Sequence, residues 1–411
     1  MTDVGVPART REDLEPPSPG AWLGLGLLLL GLVLLGLLGG RWAVIIVVAI
    51  VVIIFMHELG HYLAARLTGM KATEFFLGFG PRIWSIRRRD TTWGIKAIWA
   101  GAYVKVIGMS SLEEVDPAEE SLTYRNASYP RKLFLASAGS LMHFAMAAVL
   151  FFALFALTGA PKEDHWQVGE VIEGSGAAAA GIVEGDTIVA VDGTSSAEFS
   201  ALVGAVQPRP GEQVVATIER DGEVSDVTID VGSAERDGET IGLIGIRAEY
   251  PPVREGILEG AGSAVTEMPR QLQNAVEGVW GFATNFGDFI ERVFASPGED
   301  DAMVNPESRP VSLVGIVQIG ADAGSATGWS SVVFLLAVVN IFLGVFNLLP
   351  LLPLDGGHIA IATYERIRSR NGQRYVADIT KVMPVAYTVF LLMIFLGMGS
   401  LWLDLTSSVT R

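Results

Sequence analysis

Two histidines and a glutamate, His57, Glu58 and His61, form the pattern H-E-x-x-H within the stretch VVIIFMHELGHYLAARL. On a helix, positions i and i+4 share a face, so both imidazoles can reach one ion. Glu58 stands about 100° round the axis from His57 and can sit beside that ion as a base without taking a ligand position. The chain has no cysteine, so any metal must take His, Asp, Glu or main-chain ligands. A catalytic zinc takes three protein ligands and leaves one position open. The best third ligand is Asp355, in NIFLGVFNLLPLLPLDGGH, the only acidic residue between Asp322 and Glu365. Taken alone, that aspartate reads as a helix cap; beside H-E-x-x-H on the same side of a membrane, the ligand reading wins. His358 reads as a structural neighbour beyond Gly356 and Gly357.

The elements that must position these groups are apolar. Half of the 411 residues are hydrophobic and the mean hydropathy is +0.42, which fits a multi-span membrane protein carrying some soluble mass. Five stretches approach the roughly 20 residues that a bilayer core requires. They are Ala21–Leu38, Trp42–Ala65, Leu133–Leu157, Ser331–Leu352 and Pro384–Leu403. The first two read as two spans rather than one broken segment. Residues 1–20, polar and Pro-rich, read as a disordered cytoplasmic tail and not a cleavable signal. The net charge of −16 argues against nucleic acid as a partner.

Orientation follows from Lys and Arg. Arg66 to Lys132 carries eleven of them, and the short loop Tyr364–Lys381 carries five. Both segments are expected on the cytoplasmic side, with two spans between them. The region Pro161–Ser330, with 9 Lys and Arg against 29 Asp and Glu, then lies outside. Within it, residues 165–250 alternate short β-branched runs with Gly-Asp turns, the pattern of a small β-rich domain with one or two helices, one of them Ser200–Val206. Residues 253–300 turn amphipathic and helical. They read equally well as helices along the outer membrane surface or as a packed external pair. ASPGEDDAMVNPES reads as a flexible loop.

Four motifs together resemble the site-2 protease family of intramembrane zinc metalloproteases: HELGH at His57–His61, GFGP at Gly78–Pro81, GAYVKV at Gly101–Val106, and NLLPLLPLDGGH at Asn347–His358. The resemblance runs from about Trp42 to Leu403 and is closest to the bacterial branch with one external PDZ domain. It implies a multi-span α-helical membrane protein with a membrane-associated β-hairpin and an inserted extracytoplasmic PDZ (β-rich α+β) domain. The expected parts are an extra N-terminal span at 21–40, a first catalytic half at 42–160, the PDZ domain at 165–250, external helices and loop at 251–330, and a second catalytic half at 331–411.

Carried over by residue, the resemblance makes His57, His61 and Asp355 ligands to Zn2+ and Glu58 the general base. Asn347 becomes a residue that holds substrate or stabilises the oxyanion, a role an Asn in an apolar helix can also fill on physical grounds. Its bland alternative is an interhelical hydrogen bond, the reading preferred for Asn340. Substrate contacts are expected from Gly78, Phe79, Gly80, Gly101, Tyr103 and Asn347. The hairpin Thr73–Gly108 would hold an unwound substrate by β-addition.

Two positions depart from the family pattern. Gly101–Ala102 stands where Gly-Gly is usual. GSLMH places Ser140 and His143 where the pattern has Pro and Asn; His143 reads first as a polar residue tolerated in the bundle, the alternatives being a replacement polar contact near the substrate or an accessory neighbour of the metal. The activity implied is hydrolysis, within the plasma membrane and near its cytoplasmic face, of single-span proteins such as anti-sigma factors already cut outside. Further partners are membrane lipid and, at the GLIGI loop of the PDZ domain, a peptide C-terminus. That domain could equally serve as a steric filter. The rival class is a non-proteolytic membrane PDZ receptor or scaffold, which loss of Glu58 or Asp355 would betray; both are present.

Overall fold

The computed structural model describes residues 20–109, 113–236, 239–294, 310–369 and 375–406. The expected N-terminal tail, Gly20 apart, and the loop 295–308 lie outside the described residues. The chain divides into two compact units, one formed by residues 1–151 with 264–411 and the other by 152–263. Among the described residues, four helices are long and apolar enough to cross a membrane: Trp22–Thr68, Tyr129–Thr158, Trp329–Asn347 and Thr380–Thr406.

The first unit begins with α1 (Ala21–Thr68), which carries H-E-x-x-H near its C-terminal end. The helix is broken at Gly40, whose φ of 72° and ψ of −179° are not helical. A Cβ on Gly36 would lie 3.4 Å from Val44, whereas eight residues of straight helix would part them by about 12 Å. The chain therefore doubles back, and 21–38 and 42–65 are the two arms of a helical hairpin. β1 (Ala72–Arg88) and β2 (Thr91–Val106) follow. Residues 72–77 pair with 102–106, 82–88 with 91–96, and 74–77 also face 92–95, so the two long strands coil into a small sheet of four runs. Phe75 stacks on Trp93 inside it, with centroids 4.4 Å apart. α2 (Tyr129–Ala153) then crosses the bundle.

The second unit is β-rich. It holds β3 (Gln167–Val171), α3 (Gly176–Ala179), β4 (Thr187–Val191), β5 (Thr194–Ser195), α4 (Phe199–Val206), β6 (Gln213–Arg220), β7 (Glu223–Asp230), β8 (Gly232–Arg236), β9 (Glu239–Leu243) and β10 (Ile246–Glu249). The largest sheet runs β5-β4-β6-β7, beside the pairs β10-β3 and β8-β9. Among the described residues of this unit, two Asp-Gly pairs turn the chain. Asp192–Gly193 and Asp221–Gly222 have φ of 48° and 79°, and of 52° and 81°. Positive φ at both central residues is the type I′ geometry that matches strand twist. Inward side chains of these strands and of α4, among them Val168, Ile188, Leu202, Val214, Ile218 and Ile229, form one buried core.

The remaining helices are α5 (Ile257–Thr284), α6 (Phe286–Phe294), α7 (Leu313–Thr327), α8 (Trp329–Asn347), α9 (Asp355–Arg368) and α10 (Ile379–Thr406). α7, in the segment expected outside the membrane, packs against α1 and α8. Its Val317 and Ala321 join Trp42, Ile46 and Ile53 of α1 and Val332 and Leu336 of α8 in one cluster. Gly320 and Gly324 let it approach Ile46 and Trp42 closely, the usual way for helices to pack where water supplies no drive. α2 runs antiparallel to α8, with Phe151 on Phe334 and Phe144 on Gly344. It is fastened to α9 by a buried ion pair, Lys132 Nζ to Glu365 Oε2 at 2.6 Å.

One buried charge in the β-rich unit makes a testable point. The Asp186 side chain is fully buried, receives two hydrogen bonds from Arg220 (2.6 and 2.7 Å) and accepts one from the Val183 N–H (2.9 Å). The Arg220 hydrogen bonds hold its carboxyl below the ordinary carboxylate range. A depressed carboxyl stabilises the fold above its unfolded value of about 3.9 and loses that contribution as pH falls below it. Arg220→Met should expose the strand amides of β4 and β6 to faster hydrogen exchange at neutral pH, because it leaves the buried Asp186 carboxylate without its ion-pair partner. The variant should also lose the wild-type step in protection below about pH 4.

Candidate metal centre

The atoms that could hold a metal come from two helices. His57 and His61 lie one turn apart on α1, with their Nε2 atoms 3.2 Å from each other. Asp355 is the first residue of α9, and its Oδ2 lies 3.5 Å from His57 Nε2 and 3.2 Å from His61 Nε2. Ligands about 2.0–2.1 Å from a tetrahedral zinc stand about 3.3 Å from one another. The triangle therefore has the size of one face of a tetrahedral zinc site. Two imidazole nitrogens and a carboxylate oxygen are also the donor types zinc takes, so these residues could hold the ion.

Each ligand is aimed by local structure. His61 Nδ1 donates to the Leu135 carbonyl on α2 at 2.8 Å. That fixes the tautomer and leaves Nε2 with a free lone pair toward the other two donors. Asp355 is aimed by a turn. The helix expected to run from Ser331 to Leu352 stops at Asn347, because Pro350 and Pro353 cannot continue it. Residues 348–354 fold back against the start of α9, so close that a Cβ on Gly357 would stand 2.7 Å from the Leu352 nitrogen. Asp355 is thus not the end of a span but the N-terminus of a new helix, where the dipole also favours its charge. On the opposite wall, Gly139 of α2 leaves room for both imidazoles: a Cβ there would lie 2.5 Å from His61 Nε2 and 2.6 Å from His57 Nδ1.

A cavity of about 200 Å³ opens beside the triangle, lined by Glu58, His61, Tyr103, Val104, Val106, Met109, Leu135, Ala136, Asp355 and His358. Glu58 shares it with two of the metal-binding residues, and its carboxylate meets the main chain of Val104. Strand β2 therefore reaches the site along residues 103–106. Of the other residues expected to touch substrate, only Tyr103 lines this cavity. Its hydroxyl is held by Glu74 (2.6 Å) and Lys96 (2.9 Å). Phe79 stacks on Tyr103, and Gly101 makes room for Phe79. Gly78 and Gly80 have φ of 89° and 79° at the bend between the two runs of β1. Those four shape the hairpin around Tyr103. Asn347 closes α8 and is not among the cavity residues. Ala102 does not have positive φ and pairs with Leu77, so the change from glycine is accommodated.

Three contributions escape a reading by residue type: the Leu135 carbonyl, the close approach of Gly139, and the pair formed by His143 and Asn340 at 3.0 Å. A backbone acceptor and a glycine carry no chemical signature of their own. His143 and Asn340 were visible as polar residues in apolar helices, but their pairing across 197 positions was not. Ser140 is buried, with its Oγ free of hydrogen bonds.

A family model, Peptidase family M50, matches residues 45–392. The chain belongs to peptidase family M50, the site-2 proteases. Zinc metalloprotease Rip1 of Mycobacterium tuberculosis H37Rv is 33% identical over 405 residues, covering 89% of this chain and 97% of the relative. Rip1 of Mycolicibacterium smegmatis is 32% identical over 394 residues (85% and 93%), and a putative zinc metalloprotease of Agrobacterium fabrum, Atu1380, is 30% identical over 336 (77% and 84%). This M50 chain is accordingly a zinc metalloprotease of the membrane, and zinc is its cofactor. The family match starts after the first arm of α1.

The geometry makes Gly139→Ala diagnostic. Alanine favours a helix over glycine by about 1 kcal/mol, so the backbone should tolerate it. The added methyl must displace both imidazoles. Zinc retention, read by metal analysis of the purified protein, should fall by about 10–100-fold while the helical circular dichroism is unchanged.

Proposed function

We propose that this M50 protease cleaves transmembrane helices of single-span membrane proteins, such as anti-sigma factors, after a first cut outside the membrane. The observation that carries the reading is the cluster of His57, His61 and Asp355 beside a cavity that Glu58 lines and a strand borders, within an apolar bundle. His57, His61 and Asp355 hold zinc. Zinc, when bound, polarises the scissile carbonyl and acidifies a water. Glu58 takes a proton from the attacking water and returns it to the peptide nitrogen as the carbon–nitrogen bond breaks.

A helix hides its peptide bonds in its own hydrogen bonds, so the substrate must be extended before it reacts. The run 102–106 of β2, which meets Glu58 at Val104 and lines the cavity through Tyr103, Val104 and Val106, offers a strand for β-addition at the right place. Val106, Met109, Leu135 and Ala136 make the rest of the wall largely apolar and limit bulk water. Asn347 supports the extended substrate or its oxyanion from the end of α8.

The basic segments around 66–132 and 364–381 favour a cytoplasmic site and an extracytoplasmic β-rich unit. That unit is read as a PDZ domain. A cavity of about 200 Å³ supports the reading: it lies between α4 (Phe199, Leu202, Val206) and the GLIGI loop and is almost wholly apolar, as a groove for a peptide's last side chain would be.

Two substitutions test the scheme in cells co-expressing tagged single-span proteins. Glu58→Gln should reduce cleavage by about 10²–10⁴-fold with zinc content intact; undiminished cleavage would exclude the base. Asp355→Ala should yield protein that loses zinc on dialysis, and full retention would remove Asp355 from the ligand set.

A further inference from the structure

Metal-binding histidines are commonly held twice, through the ion and through a hydrogen bond from the other ring nitrogen. His61 has the second hold, on the Leu135 carbonyl. His57 does not. Its Nδ1 is buried and faces the Gly139 main chain without a hydrogen bond of ordinary geometry. What lies against the His57 ring is a third histidine: the His143 ring, 4.9 Å away between centroids and tilted by 40°.

His143 is 2% exposed and is itself fixed. Asn340, fully buried on α8, donates from Nδ2 to the Leu336 carbonyl at 2.8 Å. A carbonyl only accepts, so the amide orientation is set and Oδ1 must face His143, whose Nδ1 lies 3.0 Å away. His143 Nδ1 is therefore the donor. An unbroken series of contacts runs from the α8 main chain through Asn340 and His143 to the face of His57.

We propose that His143, locked by Asn340, is a positioning residue for His57: its ring fixes the plane of the imidazole whose Nδ1 meets only the Gly139 main chain, without a hydrogen bond of ordinary geometry. The inference rests on reading His57, His61 and Asp355 as the zinc ligands. Gly139 closes the site beside the imidazoles without a side chain, and His143 supplies the bulk there. A role for His143 as fourth ligand would instead fill the position that hydrolysis needs open.

The test uses full-length protein in detergent, with zinc retention against a chelator series and the visible spectrum of the Co2+-loaded protein. His143→Ala and Asn340→Ala should each weaken metal retention, the first by about 10–100-fold. The double variant His143→Phe with Asn340→Leu keeps a ring against His57 and leaves no buried polar group unpaired, so it should recover most of the retention. Its Co2+ spectrum at saturation should match the wild type, because the ligand set is unchanged. Two results would overturn the proposal: undiminished retention in both alanine variants, which makes the pair a simple α2–α8 contact, or an altered saturated spectrum in the double variant, which makes His143 a ligand. Asp355→Ala, run in parallel, reports separately on the ligand set. If it keeps its zinc, that reading fails by itself, whatever His143 does.

Discussion

Three donor atoms within 3.5 Å of one another, inside a bundle of apolar helices, are the constraint from which the remaining structure follows. In a medium of low dielectric, an imidazole pair and a carboxylate left without partners would be strongly unfavourable. Gathered around a dication, they would satisfy one another. The cluster must therefore be assembled with little slack, from helices whose own packing carries no preference for it. Each irregularity nearby answers that need. The turn at 348–354 restarts the chain so that Asp355 points from a helix N-terminus, Gly139 keeps α2 out of the imidazoles' way, and the Leu135 carbonyl holds the far side of His61.

The same constraint accounts for the hairpin between α1 and α2. A proteolytic site buried among helices is useless unless a substrate can present bare peptide groups, and neighbouring helices offer no such partner. A strand does. β1 starts at Ala72, just past the end of α1, and the strands coil back so that Tyr103, Val104 and Val106 line the cavity beside Glu58. Tyr103 is braced by Glu74, Lys96 and the Phe79 ring, which keeps this run of strand in place. The glycines of GFGP and GAYVKV serve that bracing. They matter to the cavity through Tyr103 rather than by touching it.

Much of this was legible in the residues. H-E-x-x-H on a helix and a lone acidic residue among prolines and glycines in an apolar stretch were the candidates, and the structure brings their donor atoms together. The Asp-Gly pairs at 192–193 and 221–222 specify type I′ turns from local conformational preference alone. Local signals failed where tertiary contacts decide. Nothing local in α7 announces its partner, yet Gly320 and Gly324 bring it close against Ile46 and Trp42 of α1. The apolar stretch continues to Leu352, but α8 ends at Asn347, ahead of the prolines expected to break it. Hydropathy records which residues avoid water and says nothing about where a backbone must turn.

The wall of the site on α2 shows how a departure from a familiar pattern can be self-consistent. A histidine in an apolar helix has two ring nitrogens to account for, and a single asparagine on the facing helix settles one of them at 3.0 Å. The asparagine can do so only because its own amide is committed to the Leu336 carbonyl, which removes the freedom to flip. Neither residue is intelligible alone: Asn340 without His143 would leave a buried acceptor unpaired, and His143 without Asn340 would be free to rotate beside His57. Polar residues in such a bundle are therefore better read as pairs across helices than as single tolerated exceptions. The pair that packs against a metal-binding imidazole is the one whose geometry has consequences for the chemistry.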